Sequence, residues 1–229
     1  MTRRNLKNNE GETQRFFQKV YAWMFFGLLI SALAAYLTIS TPSLLALIFG
    51  SRWIFFGLII LELGLVIYLS AWIKSMSAGI AKLCFILYSF ITGLTLSVIF
   101  IVYEISSIAF VFFLTAGLFG LLSLYGYVTK RDLTSLGTFL FIGLIGIILA
   151  SLFNLFLQSS QFNFIISILG VIIFMGLTAY DVQKIKEHNV LGNEGTDEDT
   201  KESILGALTL YLDFINLFLH LLQLMGKRK

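Results

Sequence analysis

Seven apolar runs of roughly twenty residues divide the chain, at 20–40, 53–73, 80–102, 107–128, 136–158, 163–184 and 204–225. About 20 apolar residues in a helix cross ~30 Å of hydrocarbon, so the pattern predicts an all-α integral membrane protein with seven transmembrane helices. The gaps are short. The longest, KEHNVLGNEGTDEDTKES (186–203), is acidic and contains glycine, and a mobile cytoplasmic loop is expected there. The remaining parts are a polar N-terminal tail (1–19), the membrane domain (20–226) and a basic end (227–229). No soluble domain and no internal repeat is predicted.

Composition agrees with this division. The chain of 229 residues is 58% hydrophobic and 13% charged, whereas soluble domains carry about 25% charged residues. Its single cysteine, Cys84, excludes an internal disulfide or a CxxC pair. Two histidines, His188 and His220, cannot supply a three-histidine metal site. A net charge of +3 suggests no nucleic-acid partner, because the basic residues sit at span ends. SALAA (31–35) has the small-residue look of a signal cleavage site, but Glu10 and Glu12 precede it and the apolar run continues beyond it. An uncleaved first span is expected.

Lysine and arginine orient the spans. Arg3, Arg4, Lys7, Arg15 and Lys19 lie in the tail. Lys74, Lys82, Lys130, Arg131, Lys184, Lys186 and Lys201 lie in the second, fourth and sixth connections. The first, third and fifth connections carry only Arg52, which puts the N-terminus in the cytoplasm. Lys227, Arg228 and Lys229 then fall outside after seven full crossings, against the rule, unless the last segment dips in and returns.

The helix faces locate the chemistry. At 100° per residue, Gly206, Thr209, Asp213, Asn216, His220 and Gln223 share one side of the last span, and Lys227 continues the stripe. Such a stripe must face protein or water, so the last helix is expected to be central. Asn163, Ser167, Gly170, Thr178 and Asp181 form a similar side on the sixth span. Asp181 is near the cytoplasmic end of its span, and Asp213 about nine residues, or ~14 Å, into its own. A tilt or a break would bring them together. Glu62 is a third intramembrane acid, whereas Glu104 falls in a connection and is expected to be solvated. Ser89, Gly93 and Ser97, and likewise Gly146, Ala150 and Asn154, form ridges suited to close helix packing.

A carboxylate near the bilayer centre costs ~2.5–3.5 kcal/mol on insertion scales. Two neighbouring carboxyls avoid part of that cost by sharing a proton, and they then titrate as a pair. Once the proton leaves, their oxygens can bind a hard cation such as Ca²⁺. Asp181 and Asp213 are thus a candidate pH sensor and ion gate. The alternative is that each acid pairs separately with a cation, and for Asp181 Lys184 is one turn away.

At these residues the chain resembles the Bax inhibitor-1 (transmembrane Bax inhibitor motif) family, most closely its bacterial branch. The resemblance rests on ITGLTLSVIFIVYE (91–104), FFLTAGLFGLLSLYGYVTKRDLTSLG (112–137), TAYDVQKIK (178–186) and LYLDFINLFLHLLQL (210–224). It implies a seven-helix fold with the last helix central, in the bacterial inner membrane. It also implies a di-aspartyl pH sensor controlling a Ca²⁺ leak, with Asp181 and Asp213 as the pair and Glu62 as the acid of the second helix. Some members have an arginine near the end of the second helix, where Lys74 is the nearest candidate here, and another where this chain has Gln223. The acidic loop at 192–202 looks like an insertion.

Two rival readings come from other classes. Some bacterial relatives act on a membrane-bound ATP-dependent protease, and the tail or the acidic loop would suit such a regulatory role without transport. An intramembrane aspartyl protease also uses two acids, but GxGD is missing and the only proline is Pro42. A non-enzymatic protein without cofactor, working with the bilayer, Ca²⁺ and H⁺, is the reading the residues favour.

Overall fold

Backbone polar groups have no water to bond inside a bilayer, so each apolar run must close its hydrogen bonds within itself as a helix. The computed structural model describes residues 3–229, with side chains from Gly11 onward. The first part of the expected tail and the side chains of Arg3, Arg4, Lys7 and Glu10 therefore lie outside the described residues. Nine helices are present among them: α1 (Arg3–Ser40), α2 (Pro42–Gly50), α3 (Arg52–Trp72), α4 (Ala78–Leu96), α5 (Val98–Val102), α6 (Ile105–Val128), α7 (Thr134–Leu157), α8 (Ser160–His188) and α9 (Asp197–Met225). Seven spans are long and apolar enough to cross a membrane: those of α1, α3, α4 continued by α5, α6, α7, α8 and α9. Helix α2 is a short connector that begins with Pro42 in its first turn, where a missing N–H costs nothing.

The chain packs as two units: residues up to Ile101 with Asn189–Tyr211, and Val102–His188 with Leu212–Lys229. In the first unit α1 lies tightly on α4. A methyl group added at Gly93 would come 2.4 Å from the Ser31 carbonyl oxygen and 2.6 Å from Ala34 Cβ. Ser31 and Ala34 of SALAA are thus packing residues, and Ser89 and Gly93 of the Ser89–Gly93–Ser97 ridge are the surface they meet. Ser31 Oγ donates to the Ser89 carbonyl at 2.6 Å, and Tyr211 Oη lies 2.7 Å from Ser31 Oγ. The Tyr211 ring meets Phe85 and Tyr88 edge-on, at 6.2 and 5.6 Å between centroids.

The segment expected as a loop over 186–203 is mostly helical, and its irregular part narrows to 189–196. Gly192 and Gly195 have φ of 91° and 82° there, the left-handed region that glycine adopts without a Cβ penalty. The segment is fastened to α1. Arg15 reaches Glu194 at 2.6 Å, Gly192 N–H donates to Glu12 at 2.6 Å, and Lys19 meets the buried Asp199 at 2.5 Å. Thr196 Oγ1 accepts from Asp199 N–H at 3.2 Å, and Asp197, Glu198 and Asp199 fill the first turn of α9. A hydroxyl cap and acids at that end satisfy free N–H groups and favour the helix dipole.

In the second unit α8 packs on both α6 and α7. The Gly146–Ala150–Asn154 ridge is not the surface used: a methyl at Gly146 would meet nothing within 4 Å. Instead Tyr180 and Ile173 of α8 fill the spaces over Gly137 and Gly143 of α7, and Leu140 of α7 fills the space over Gly176 of α8. Spacing alone fits both ridges, and the bulk of Tyr180 and Ile173 selects the one that offers room.

Helix α9 is unbroken over Asp197–Met225, ~43 Å at 1.5 Å per residue. The last segment is therefore long and apolar enough to cross, with no break at which to dip and return. Its end folds onto the connection before α6. Glu104 N–H donates to the Lys227 carbonyl at 2.9 Å, and Lys229 N–H donates to that of Val102 at 3.0 Å. Glu104, expected to be simply solvated, pairs with Lys227 Nζ at 3.0 Å. The last helix is also the most enclosed span, with 61% of its apolar window buried against 6% for α3.

Candidate functional site

The segment of α8 that carries Asp181 is held from several sides by YGYVTKRDLTSLG (125–137). Gly126 lets the Ala179 backbone approach α6, since a methyl there would come 2.2 Å from the Ala179 oxygen. The Tyr180 ring covers Gly137 of α7. Gln183 grips the α6–α7 connection with both ends of its amide: Oε1 accepts from Leu133 N–H and Nε2 donates to the Arg131 carbonyl, each at 2.8 Å. Lys186 Nζ donates to the Tyr127 carbonyl at 2.7 Å. These contacts fix the rotation of α8, and with it the direction of Asp181.

Asp181 and Asp213 then face one another within hydrogen-bonding range, carboxyl to carboxyl. Asp213 is 4% exposed, and its second oxygen is buried without a partner. The difference in depth expected between the two acids does not separate them, and neither helix breaks. Asp181 lies seven residues before the end of α8 and Asp213 sixteen after the start of α9. The helices are simply offset along their length. Lys184 is one turn from Asp181, with its ammonium 5.5 Å from the Tyr180 ring centroid.

The other expected site residues divide between the two units. Asn216, His220 and Gln223 follow Asp213 along α9 in the second unit. Asn216 Nδ2 donates to the Leu212 carbonyl at 2.8 Å, and Gln223 Oε1 accepts from Ser167 Oγ at 2.7 Å. His220 stacks on Phe174 at 5.7 Å between centroids. Glu62 and Lys74 belong to the first unit. Glu62 accepts from Thr95 Oγ1 at 2.7 Å. The Lys74 side chain is exposed, and its carbonyl is the group engaged, accepting from Lys201 Nζ at 3.3 Å. Gln183 and Gly126 were missed by sequence reasoning. A glutamine so close to Asp181, at the end of an apolar run, was the available signal.

Two carboxyls offer at most four oxygens, whereas Ca²⁺ takes 6–8 oxygen ligands. Among the described residues no three His, Cys, Asp or Glu side chains converge. The pair on its own is therefore too small for a complete calcium cage. A cation beside it would need water or carbonyl ligands as well.

These features define a multi-pass helical membrane protein with a paired intramembrane carboxyl site. The chain belongs to the Bax inhibitor-1 family: residues 13–229 match the family described as inhibitor of apoptosis-promoting Bax1. It is similar to "Inner membrane protein YbhL" of Escherichia coli K12, with 52% identity over 220 residues, covering 94% of this chain and 93% of that one. An uncharacterized protein of Borreliella burgdorferi is 47% identical over 94% of this chain and 93% of its own. Uncharacterized protein RP147 of Rickettsia prowazekii is 44% identical over 100% of this chain and 95% of its own.

Proposed function

We propose that this chain is a pH-sensitive Ca²⁺ leak pathway of the bacterial inner membrane, with the N-terminus in the cytoplasm and Asp181 and Asp213 as its gate. The observation that carries the reading is the facing of the two carboxyls, with one oxygen of Asp213 buried and unpartnered. A shared proton satisfies both groups and holds α8 and α9 together. Loss of that proton leaves two like charges in contact and oxygens able to attract Ca²⁺. Proton and Ca²⁺ then compete for one site. The calcium is cargo, and no enzymatic step is assigned. Membership of the family, the missing GxGD motif and the lack of any proline beyond Pro42 favour transport over aspartyl proteolysis.

A second reading, a regulator of a membrane-bound ATP-dependent protease, draws support from the charged surface where α1 holds residues 192–199. Ca²⁺ flux into proteoliposomes between about pH 6 and 8 separates the two. Flux above that of empty liposomes, varying with pH, supports the leak. Its absence from folded protein overturns the leak and leaves the regulator.

A further inference from the structure

The polar face of α9 continues past Asp213, and His220 stands on it in a fitted niche. Gly170 of α8 supplies the room: a methyl there would come 2.5 Å from His220 Nε2. Phe174 covers the ring at an interplanar angle of 26°. The ring is half-buried, and its Nδ1 is enclosed with no hydrogen-bond partner. An imidazole in an apolar niche with an unspent nitrogen is poorly explained by packing, which phenylalanine or leucine would serve without desolvating a polar atom.

His220 is seven residues beyond Asp213, about 10 Å of rise at 1.5 Å per residue. Asn216 lies between them, with Nδ2 committed to Leu212. Gln223 and Ser167 follow one turn beyond His220, and the Glu104–Lys227 pair closes the same end of the second unit. On the other elements of that unit, α8 brings Asp181, Lys184 and Lys186 to the opposite end. Helix α6 turns Phe112 and Phe119 toward Phe214 of α9, and α7 carries no charged residue. Along this face Asp213 lies seven residues before His220, and Lys227, paired with Glu104, seven after it, so the ring stands midway between the aspartate pair and that end.

We propose that His220 is a proton relay between the aspartate pair and the aqueous phase at the Glu104–Lys227 end. One ring nitrogen takes a proton from hydronium in the water on that side, forming an N–H bond and leaving neutral water. The imidazolium then gives a proton, through water beside Asn216, to the Asp213 carboxylate, forming the carboxyl O–H and restoring the neutral ring. Imidazole is the side chain suited to this exchange near neutral pH. The inference rests on the reading of Asp181 and Asp213 as a proton-sharing pair, and it adds the side from which the pair is protonated.

The test uses the full chain reconstituted in lipid. His188 is exposed at the end of α8, and His188→Gln leaves His220 as the sole histidine. Ring-nitrogen NMR across about pH 5 to 8 then reports one residue. The expected result is exchange between neutral and protonated rings within that range, with a midpoint that moves in Asp213→Asn. Asp181→Asn, which alters the same pair from α8, is expected to move it too. A ring in one protonation state throughout, or a midpoint identical in all three proteins, overturns the relay. The signal needs no Ca²⁺ flux, so a silent ring in a pH-gated leak removes the relay alone. A responsive ring in a chain that conducts nothing removes only the leak.

Discussion

The Ala179 carbonyl stands where any side chain at position 126 would have to go, 2.2 Å from the place a Gly126 methyl would occupy. Backbone cannot move aside as the end of a flexible side chain can, so α6 and α8 approach at this point only because residue 126 is glycine. Gly126→Ala is expected to push them apart and destabilise the protein by about 1–3 kcal/mol. Gly146→Ala adds a methyl to open space and is expected to be neutral, or to stabilise α7 by up to ~1 kcal/mol. Thermal unfolding of the two variants in one detergent checks the contrast. Equal effects would contradict the packing described.

Gln183 is the hinge pin of the Asp181 region. Gln183→Ala removes the acceptor of the Leu133 N–H and the donor to the Arg131 carbonyl. A buried group left unpaired costs about 1–3 kcal/mol. The variant is expected to lose that stability and to loosen the α6–α7 connection, seen as faster amide exchange at 131–134. Unchanged exchange there would show that the amide does not hold the connection.

The fastening of the α8–α9 connection to α1 supplies a pH prediction of its own. The Arg15 side chain, hydrogen-bonded to Glu194, holds that carboxyl below its ordinary value of 4.5. A carboxyl with a depressed folded value contributes stability above its unfolded value and loses it as pH falls through the folded one. Protection of the 189–196 amides, corrected for intrinsic exchange, is therefore expected to be flat from neutral pH to about 5 and to fall only below that. Glu194→Gln should lower the plateau and flatten the acid limb. Loss of protection near neutral pH would instead make this contact a second pH sensor.

How far the sequence leads can be judged from single residues. The spans were legible because bilayer thickness fixes length, whatever the helices pack against. The stripe from Asp213 to Gln223 was legible because a polar face inside a span has to be shielded. That Asp181 and Asp213 face one another was legible only as a possibility, since depth along two helices depends on their offset. Gly146 shows the limit of spacing rules: its ridge has the right small residues, yet the partner side chains lie opposite Gly137 and Gly143. The ties from Arg15 to Glu194 and from Lys227 to Glu104 join residues far apart in sequence, and no local pattern marks them. Their signal was charge alone, an acidic loop and a basic α1, and an acid in a connection with a basic chain end.

Whether the Asp181–Asp213 pair senses pH is read from Ca²⁺ flux through wild-type protein and Asp213→Asn in proteoliposomes, across about pH 6 to 8. Asparagine keeps the shape of a protonated aspartate and cannot lose the proton. Wild-type flux is expected to change across this range, whereas the variant's flux stays flat. A variant that keeps the wild-type pH profile would contradict it and move the sensor elsewhere in the chain.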